Sequence, residues 1–355
     1  MAEIKIAFWN LQNLFDTTVS EIAADLGYTP RNGWTEEVMN QKIENLAAVI
    51  NQMHDGEKPD LLGICEIENK NVAEKLLKAI GRKDYKIAHV DSPDIRGIDT
   101  SLIYSSDVFE LDGTPFGHLL HLRYRTRDVF EVPLQIKANG ALLTVLVNHW
   151  PSRGQGKFES EPYRLTVASH AGRIVDQLLK LPKEDFMALP NDEISLEIIN
   201  ELWSRNVLLM GDFNDEPFDR SIMNFLQASN GEDHLEEPIK KSSGLKIPSP
   251  TSYLRKQAYL FNCMWQKFAI PDEGTYHFSQ STNTMNLLDQ FMISKGLYFG
   301  EQGLKFDQQS VEIFKPSIMA SGAKKRPKKF EYDRNRIKKN GYSDHFPITA
   351  TINII

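Results

Sequence analysis

Short apolar runs recur along the whole chain and alternate with stretches of helical period. Ile4 to Trp9, Leu61 to Cys65, Tyr85 to Val90, Ser101 to Tyr104, Leu142 to Asn148, Val207 to Met210, Leu288 to Ile293 and Ile348 to Ile352 have the length and make-up of buried strands. Thr35 can cap a helix running to about Met53, because Val38, Ile43, Leu46, Ala47 and Ile50 fall on one stripe. Val72 to Ile80, Arg164 to Leu179 and Ser195 to Trp203 carry the same signal, and Pro182 to Asn191 reads as a loop between helices. Between Tyr85 and Leu146 several strands follow one another with no helix, so a strictly alternating parallel fold fails. The pattern predicts a mixed α/β fold with helices outside more than one sheet.

Hydrophobic residues make up 41% of the 355 positions and charged residues 25%, enough for a large core and too apolar for global disorder. A formal net charge of -7 argues against a protein that coats nucleic acid by bulk electrostatics. That charge is unevenly spread. Lys315 to Lys339 holds ten Lys and Arg against Glu331 and Asp333, a local +8 that leaves -15 elsewhere (-7 minus 8). Such a run is either a solvated loop or a contact for substrate phosphate. The only cysteines, Cys65 and Cys263, form no metal-thiolate spacing or disulfide framework, and Cys65 reads as a small buried side chain. The chain opens directly on a strand with no export signal before it. No apolar stretch reaches the roughly 18 residues that span a bilayer. The expectation is a soluble protein, cytoplasmic by default and secreted if a leader has been removed.

Candidate chemistry sits at the ends of the apolar runs. Asn10 follows Trp9, Glu66 follows Cys65, His149 follows Asn148, and Asp212 and Asn214 follow Val207 to Met210 across Gly211. Asp289 lies inside Leu287 to Ile293, and Asp344-His345 precedes the last strand. Each alone has a bland reading: a turn aspartate, a helix cap, a packed histidine. Asp289 is the most informative, since burying an acid in so apolar a run is costly without a partner, and His345 is available. Glu66 offers the hard oxygen that Mg²⁺ or Mn²⁺ prefers. Polar groups repeated at strand ends suit a site built on one rim of a sheet scaffold. They span positions 10 to 345, so cutting the chain would split the set, and one domain over 1-355 with a basic insertion at about 315-339 is expected.

Taken in order, Trp9-Asn10, Glu66, Asn148-His149, Gly211-Asp212-Phe213-Asn214, Leu288-Asp289 and Ser343-Asp344-His345 resemble the endonuclease/exonuclease/phosphatase, or DNase I-like, superfamily. Asn148 to Arg153, Ser160 to Arg164 and Gly341 to His345 look like its bacterial predicted-nuclease branch, whose members are often extracellular. The resemblance implies a four-layer sandwich of two mainly antiparallel sheets flanked by helices. It implies Glu66 as the main Mg²⁺ (or Mn²⁺) ligand, with Asn10 and Asp344 nearby on metal or phosphate. Asp212 would orient or deprotonate the attacking water and Asn214 would hold it. His345, oriented by Asp289, would stabilise transition-state charge, and His149 would contact phosphate or protonate the leaving oxygen. Asp99, after Arg96-Gly97-Ile98, is the candidate support for His149, or simply a turn aspartate.

The expected activity is metal-dependent phosphodiester hydrolysis by in-line water attack, most naturally by an endonuclease on DNA or RNA. Alternatives on the same fold are a phosphomonoesterase or a lipid phosphodiesterase of the sphingomyelinase or inositol-phosphatase kind; a non-enzymatic binding module fits least. No stable membrane association and no protein partner are expected.

Overall fold

The computed structural model describes residues 2–18, 27–120, 122–190, 192–235, 250–278, 284–333 and 336–355. Two sheets dominate it. The six-stranded sheet runs in the order Leu304–Ile313, Ile348–Ile354, Glu3–Leu14, Leu61–Ile67, Asp99–Ser105, Tyr85–His89. Only its central pair, Glu3–Leu14 with Leu61–Ile67, is parallel. The eight-stranded sheet runs Ala228–Ser229, Leu260–Asn262, Asp289–Ile293, Val207–Asp212, Leu142–His149, Val129–Ile136, Phe109–Leu111, and Phe116–His118 also pairs with Val129–Ile136.

Strand periodicity sorts the side chains of this second sheet into two cores. Val145, Val147, Leu208, Met210, Phe291 and Ile293 pack in the core shared with the first sheet. Leu146, Leu209 and Met292 point the other way, onto Val167, Ala168, Ala171 and Val175 of the helix Lys157–Leu179. On the far side, the buried faces of Glu36–Ile50 and Lys70–Ile80 cover the first sheet. The result is helix, sheet, sheet, helix: the four layers expected from the sequence. Because the period is two, the same parity that turns Val147, Met210 and Phe291 inward also turns His149, Asp212 and Asp289 inward. That rule puts three polar side chains at the mouth of the gap between the sheets.

Helix starts follow capping chemistry. Thr35 Oγ1 accepts from Val38 N at 3.4 Å and Asn69 Oδ1 from Val72 N at 3.0 Å. The first helix ends at Ile50, short of Met53, where a 3-10 turn takes over. Lys157–Leu179 starts a full two turns before Arg164 and accommodates Pro162 in its second turn, where the ring removes the backbone donor that would otherwise reach Phe158 O. The expected loop Pro182 to Asn191, whose last residue lies outside the described residues, instead holds a short helix, Lys183–Ala188, because Phe186 stacks on Tyr253 at 4.1 Å. Several strands were hidden in the sequence pattern, two of them long. Val129–Ile136 carries Pro133 at its centre, and Leu304–Ile313 carries the polar run Asp307 to Ser310. Both are strands because their neighbours supply the pairing.

Gly63 marks a close approach of the sheets. A methyl group there would lie 2.5 Å from Met210 Sδ and 2.9 Å from the Phe8 ring. Gly63→Ala is expected to destabilise the protein by about 1–3 kcal/mol through overpacking. Urea denaturation checks this, and wild-type stability in that variant would contradict so tight an inter-sheet contact.

Candidate active site

His149, Asp212 and Asp289 occupy directly opposed positions on three adjacent strands: His149 pairs with Asp212, and Asp212 with Asp289. The segment ending in His345 is tied across them. Trp9 Nε1 donates to His345 O at 2.8 Å, Ser343 Oγ donates to Asn10 O at 2.6 Å, and His345 N donates to Ser343 Oγ at 3.1 Å. Residues far apart in sequence therefore share one rim because the last strand, Ile348–Ile354, lies beside Glu3–Leu14.

Asp212 is the hub. Asn10 Nδ2 donates to Asp212 Oδ2 at 3.0 Å and to Glu66 Oε1 at 3.1 Å, linking the two sheets. Asn214 N donates to Asp212 Oδ1 at 2.9 Å, and Asn214 Nδ2 to Trp150 O at 3.1 Å. His345 Nε2 and His149 Nε2 each lie 3.8 Å from Asp212 Oδ2, and His149 Nε2 lies 3.7 Å from Glu66 Oε1. His345 Nδ1 meets Asp289 Oδ2 at 2.7 Å, the partnership that burial of Asp289 demanded. Strain gathers at the same rim. Gln12, Asn13, Glu66 and Asn214 all take positive φ, between 51 and 60°, which non-glycine residues adopt only when their surroundings hold them there.

Environment drives the two imidazoles apart. Burial alone would lower the pKa of His345, but Asp289 and Asp212 outweigh it and raise it to about 10. His149 goes well below its usual value, first through burial and then through the positive fields of Arg127, Arg96 and His345. One ring is an imidazolium at neutral pH and the other a neutral imidazole. Burial, with Asp289 nearby, raises Asp212 to about 7, against the pull of His345 and its hydrogen bonds from Asn214 and Asn10.

Of the candidate metal ligands, Glu66 and Asp344 are half-buried and Asn10 is buried. Glu66 is partly exposed and takes a second hydrogen bond from Asn13 N at 2.8 Å. Burial raises Asp344, and the negative charge of Glu66 raises it further. Glu66 and Asp344, with Asn10 Oδ1, which also accepts from Gln12 N at 2.9 Å, are hard oxygen donors of the kind a divalent cation takes. Asp212, Asp289 and His345 also cluster tightly enough to hold a metal. Within that group Asp289 Oδ2 and His345 Nδ1 already meet at 2.7 Å.

Asp99 does not join the set. Its Oδ1 accepts from Ser92 N at 2.9 Å and its Oδ2 lies 3.5 Å from His89 Nε2, while His149 Nδ1 has no hydrogen-bond partner among the described residues. The expected Asp99–His149 support is therefore absent as a hydrogen bond. His149 is held through its backbone: Arg127 donates to His149 O and Trp150 O at 3.2 and 2.8 Å and pairs with Asp94 at 3.1 Å.

Several residues at the site went unnoticed in the sequence. Tyr276 lies with its ring 4.7 Å from that of His345, and Asp344, Asp212 and Glu66 all act on its hydroxyl. Lys42, on the helix Glu36–Ile50, is 1% exposed and reaches Gln12 O; burial lowers it to about 7, opposed by Asp344 and Glu66. Its signal, one lysine on an otherwise apolar stripe, was visible but ambiguous. The motifs Asn148 to Arg153 and Ser160 to Arg164 gain a structural meaning. Arg153 Nε donates to Asn214 O at 2.6 Å, and Arg153 and buried Arg164 both pair with Asp215, at 3.2 and 2.8 Å. These arginines clamp the turn that carries Asn214.

A profile of the endonuclease/exonuclease/phosphatase family matches residues 5–354. The chain belongs to that family. Its members are phosphoric ester hydrolases that commonly use divalent metals. No curated protein sequence matches the chain. Among solved structures, a mannosyl-6-phosphatase from Bacteroides thetaiotaomicron is 14% identical, covering 99% of this chain and 100% of that one with a TM-score of 0.55. The human nocturnin catalytic domain with bound sulfate is 14% identical over 99% and 95%, with a TM-score of 0.54. TDP2 from D. rerio, complexed with a single-strand DNA product, is 13% identical over 99% and 100%, with a TM-score of 0.51. At these identities the likeness is one of fold. No helix among the described residues is long and apolar enough to cross a membrane.

Asp289→Asn is expected to remove the main charge that keeps His345 protonated. The His345 pKa, read by NMR titration of its ring, then falls by at least about one unit, equivalent to about 1.4 kcal/mol. An unchanged titration would show that Asp289 does not set the state of that ring.

Proposed function

We propose that the chain is a divalent-metal-dependent phosphodiester hydrolase acting on nucleic acid, working as one catalytic domain with the basic segment 315–339 as an insertion. The observation that carries this reading is Asp212, held by Asn10 and Asn214 between an imidazolium and a neutral imidazole.

Asp212 orients the attacking water and takes its proton, since both of its oxygens are already fixed by hydrogen bonds from Asn10 and Asn214. Asn214 holds that water in line. His345, kept cationic by Asp289, donates from Nε2 to a non-bridging oxygen as negative charge builds on phosphorus. His149 is neutral, so its part is a hydrogen bond to phosphate, and direct protonation of the leaving oxygen fits it poorly. Glu66, Asn10 and Asp344 would hold Mg²⁺ or Mn²⁺, which supplies charge neutralisation and assistance to the leaving oxygen. Lys42 and the strained turn at Gln12 and Asn13 position Glu66 from behind.

Plasmid, single-stranded DNA, RNA, bis-(p-nitrophenyl) phosphate, p-nitrophenyl phosphate and lipid vesicles are to be incubated with Mg²⁺, Mn²⁺ or EDTA. Cleavage of the diesters with metal and none with EDTA is expected. Asp212→Ala and His345→Ala are each expected to lower kcat/KM by about 10²–10⁴. Preference for the monoester or for lipid, or activity surviving both substitutions, counts against the proposal.

The pH profile follows from the same groups. Asp212 acts as base only when ionised, so kcat/KM rises with pH through about 7. His345 acts as donor only when protonated, so the rate falls again as pH approaches about 10. Asp212, Asp289 and His345 titrate together, so the two limbs belong to the group. A bound cation moves the lower limb further down. A rate that declines steadily from pH 6 upward reverses the assigned roles.

A further inference from the structure

A cavity of about 410 Å³ opens beside Asp344, walled by His277, Arg326, Lys328, Lys329 and Lys338. Two of its cations are already neutralised: Lys338 pairs with Glu331 at 2.5 Å and Arg326 with Asp272 at 2.9 Å. Lys328 and Lys329 have no ion-pair partner among the described residues, and Lys328 only approaches the Tyr342 ring at 6.0 Å.

A charge run of this kind is usually a solvated loop, but this one is fixed to the catalytic rim. Lys328 O accepts from Tyr342 N at 2.7 Å and Lys328 N donates to Met319 O at 2.8 Å. Phe330 N donates to Gln12 Oε1 at 3.0 Å, and Asn45 Nδ2 donates to Gly341 O at 2.7 Å. The backbones touch so closely that a methyl group on Gly341 would lie 1.9 Å from Lys329 O. Two consecutive lysines with fixed backbones thus line the same cavity as Asp344, in a chain that is net acidic. Glu331 on the same wall acts on Lys329 but is already bonded to Lys338, so an incoming anion still meets uncompensated positive charge there.

We infer that this cavity is a subsite for a second phosphate of the substrate, adjacent to the one cleaved. The inference rests on the hydrolase reading of the neighbouring site and narrows its substrate class to phosphodiesters that carry a further phosphate. Lysine suits the task as a point charge that accepts either a backbone phosphodiester or a terminal phosphate.

Binding separates this from catalysis. Affinities in EDTA, where no turnover is expected, are to be measured by calorimetry for dTpdT, 5′- and 3′-phosphorylated dTpdT, the trinucleotide dTpdTpdT and thymidine 3′,5′-bisphosphate. At least one ligand with a second phosphate is expected to bind tenfold or more tightly than dTpdT at 50 mM salt. In the Lys328→Ala/Lys329→Ala double variant that gain drops at least threefold, and the slope of log affinity against log salt shallows by about 0.7 per lost phosphate contact. The Lys328→Arg/Lys329→Arg variant, checked for folding alongside, retains the gain. The trinucleotide and the terminally phosphorylated ligands distinguish a backbone phosphate from an end phosphate. Equal affinity with and without the second phosphate, or an undiminished gain in the double alanine variant, overturns the inference. Gain without hydrolysis under any metal would instead sink the hydrolase reading and leave the anion subsite standing.

Discussion

The site depends on one arrangement: a carboxylate, Asp212, placed where two sheets meet and held there by an amide from the opposite sheet. Asn10 belongs to the first sheet and Asp212 to the second, so their hydrogen bond sets the distance between the sheets at the rim. Around that bond, His345 is bound to Asp289 on one side, while Glu66 is fixed through Asn10 and Asn13 on the other. Burying this much charge is costly, and the structure compensates by pairing each group. The exceptions are Asp289 Oδ1 and His149 Nδ1, which remain unpartnered among the described residues.

The supporting shell explains why the motifs extend beyond the chemical groups. Arg127 fixes the backbone of His149, and Arg153, Arg164 and Asp215 fix the turn of Asn214. Gln12 gathers Lys42, Phe330 and the bulge before Leu14 into one knot behind Glu66. Positive φ at Gln12, Asn13, Glu66 and Asn214 is tolerated because these contacts over-determine each position. Precision of this kind is what a site for in-line attack requires, since small displacements of positioned groups are expensive in rate.

Charge is distributed to match. The rim that carries Asp212 is acidic and would repel a polyanion, yet beside it stands the basic wall of Lys328 and Lys329. A cation at Glu66 and Asp344 and a lysine pair next to it would together present a positive path to a phosphate backbone.

Eight of the strands and the longer helices could be read from the chain, because their burial pattern is local: runs such as Val207 to Met210 are apolar whatever surrounds them, and Thr35 caps its own helix. Parity within a strand likewise turned His149, Asp212 and Asp289 toward one face once those strands were adjacent. What no local pattern could supply was partnership across the chain. Leu304–Ile313 is a strand only because Ile348–Ile354 pairs with it, and the helix at Lys183 forms because Phe186 finds Tyr253. Asp99 carried the right side chain at a plausible spacing, but the fold directs it to Ser92 and His89, and long-range packing alone brings Tyr276 and Lys42 to the rim. Sequence determined which groups were available and which way each strand faced. Tertiary structure decided which of them meet, since hydrogen bonds and charge coupling act over a few ångströms of space and are indifferent to separation along the chain.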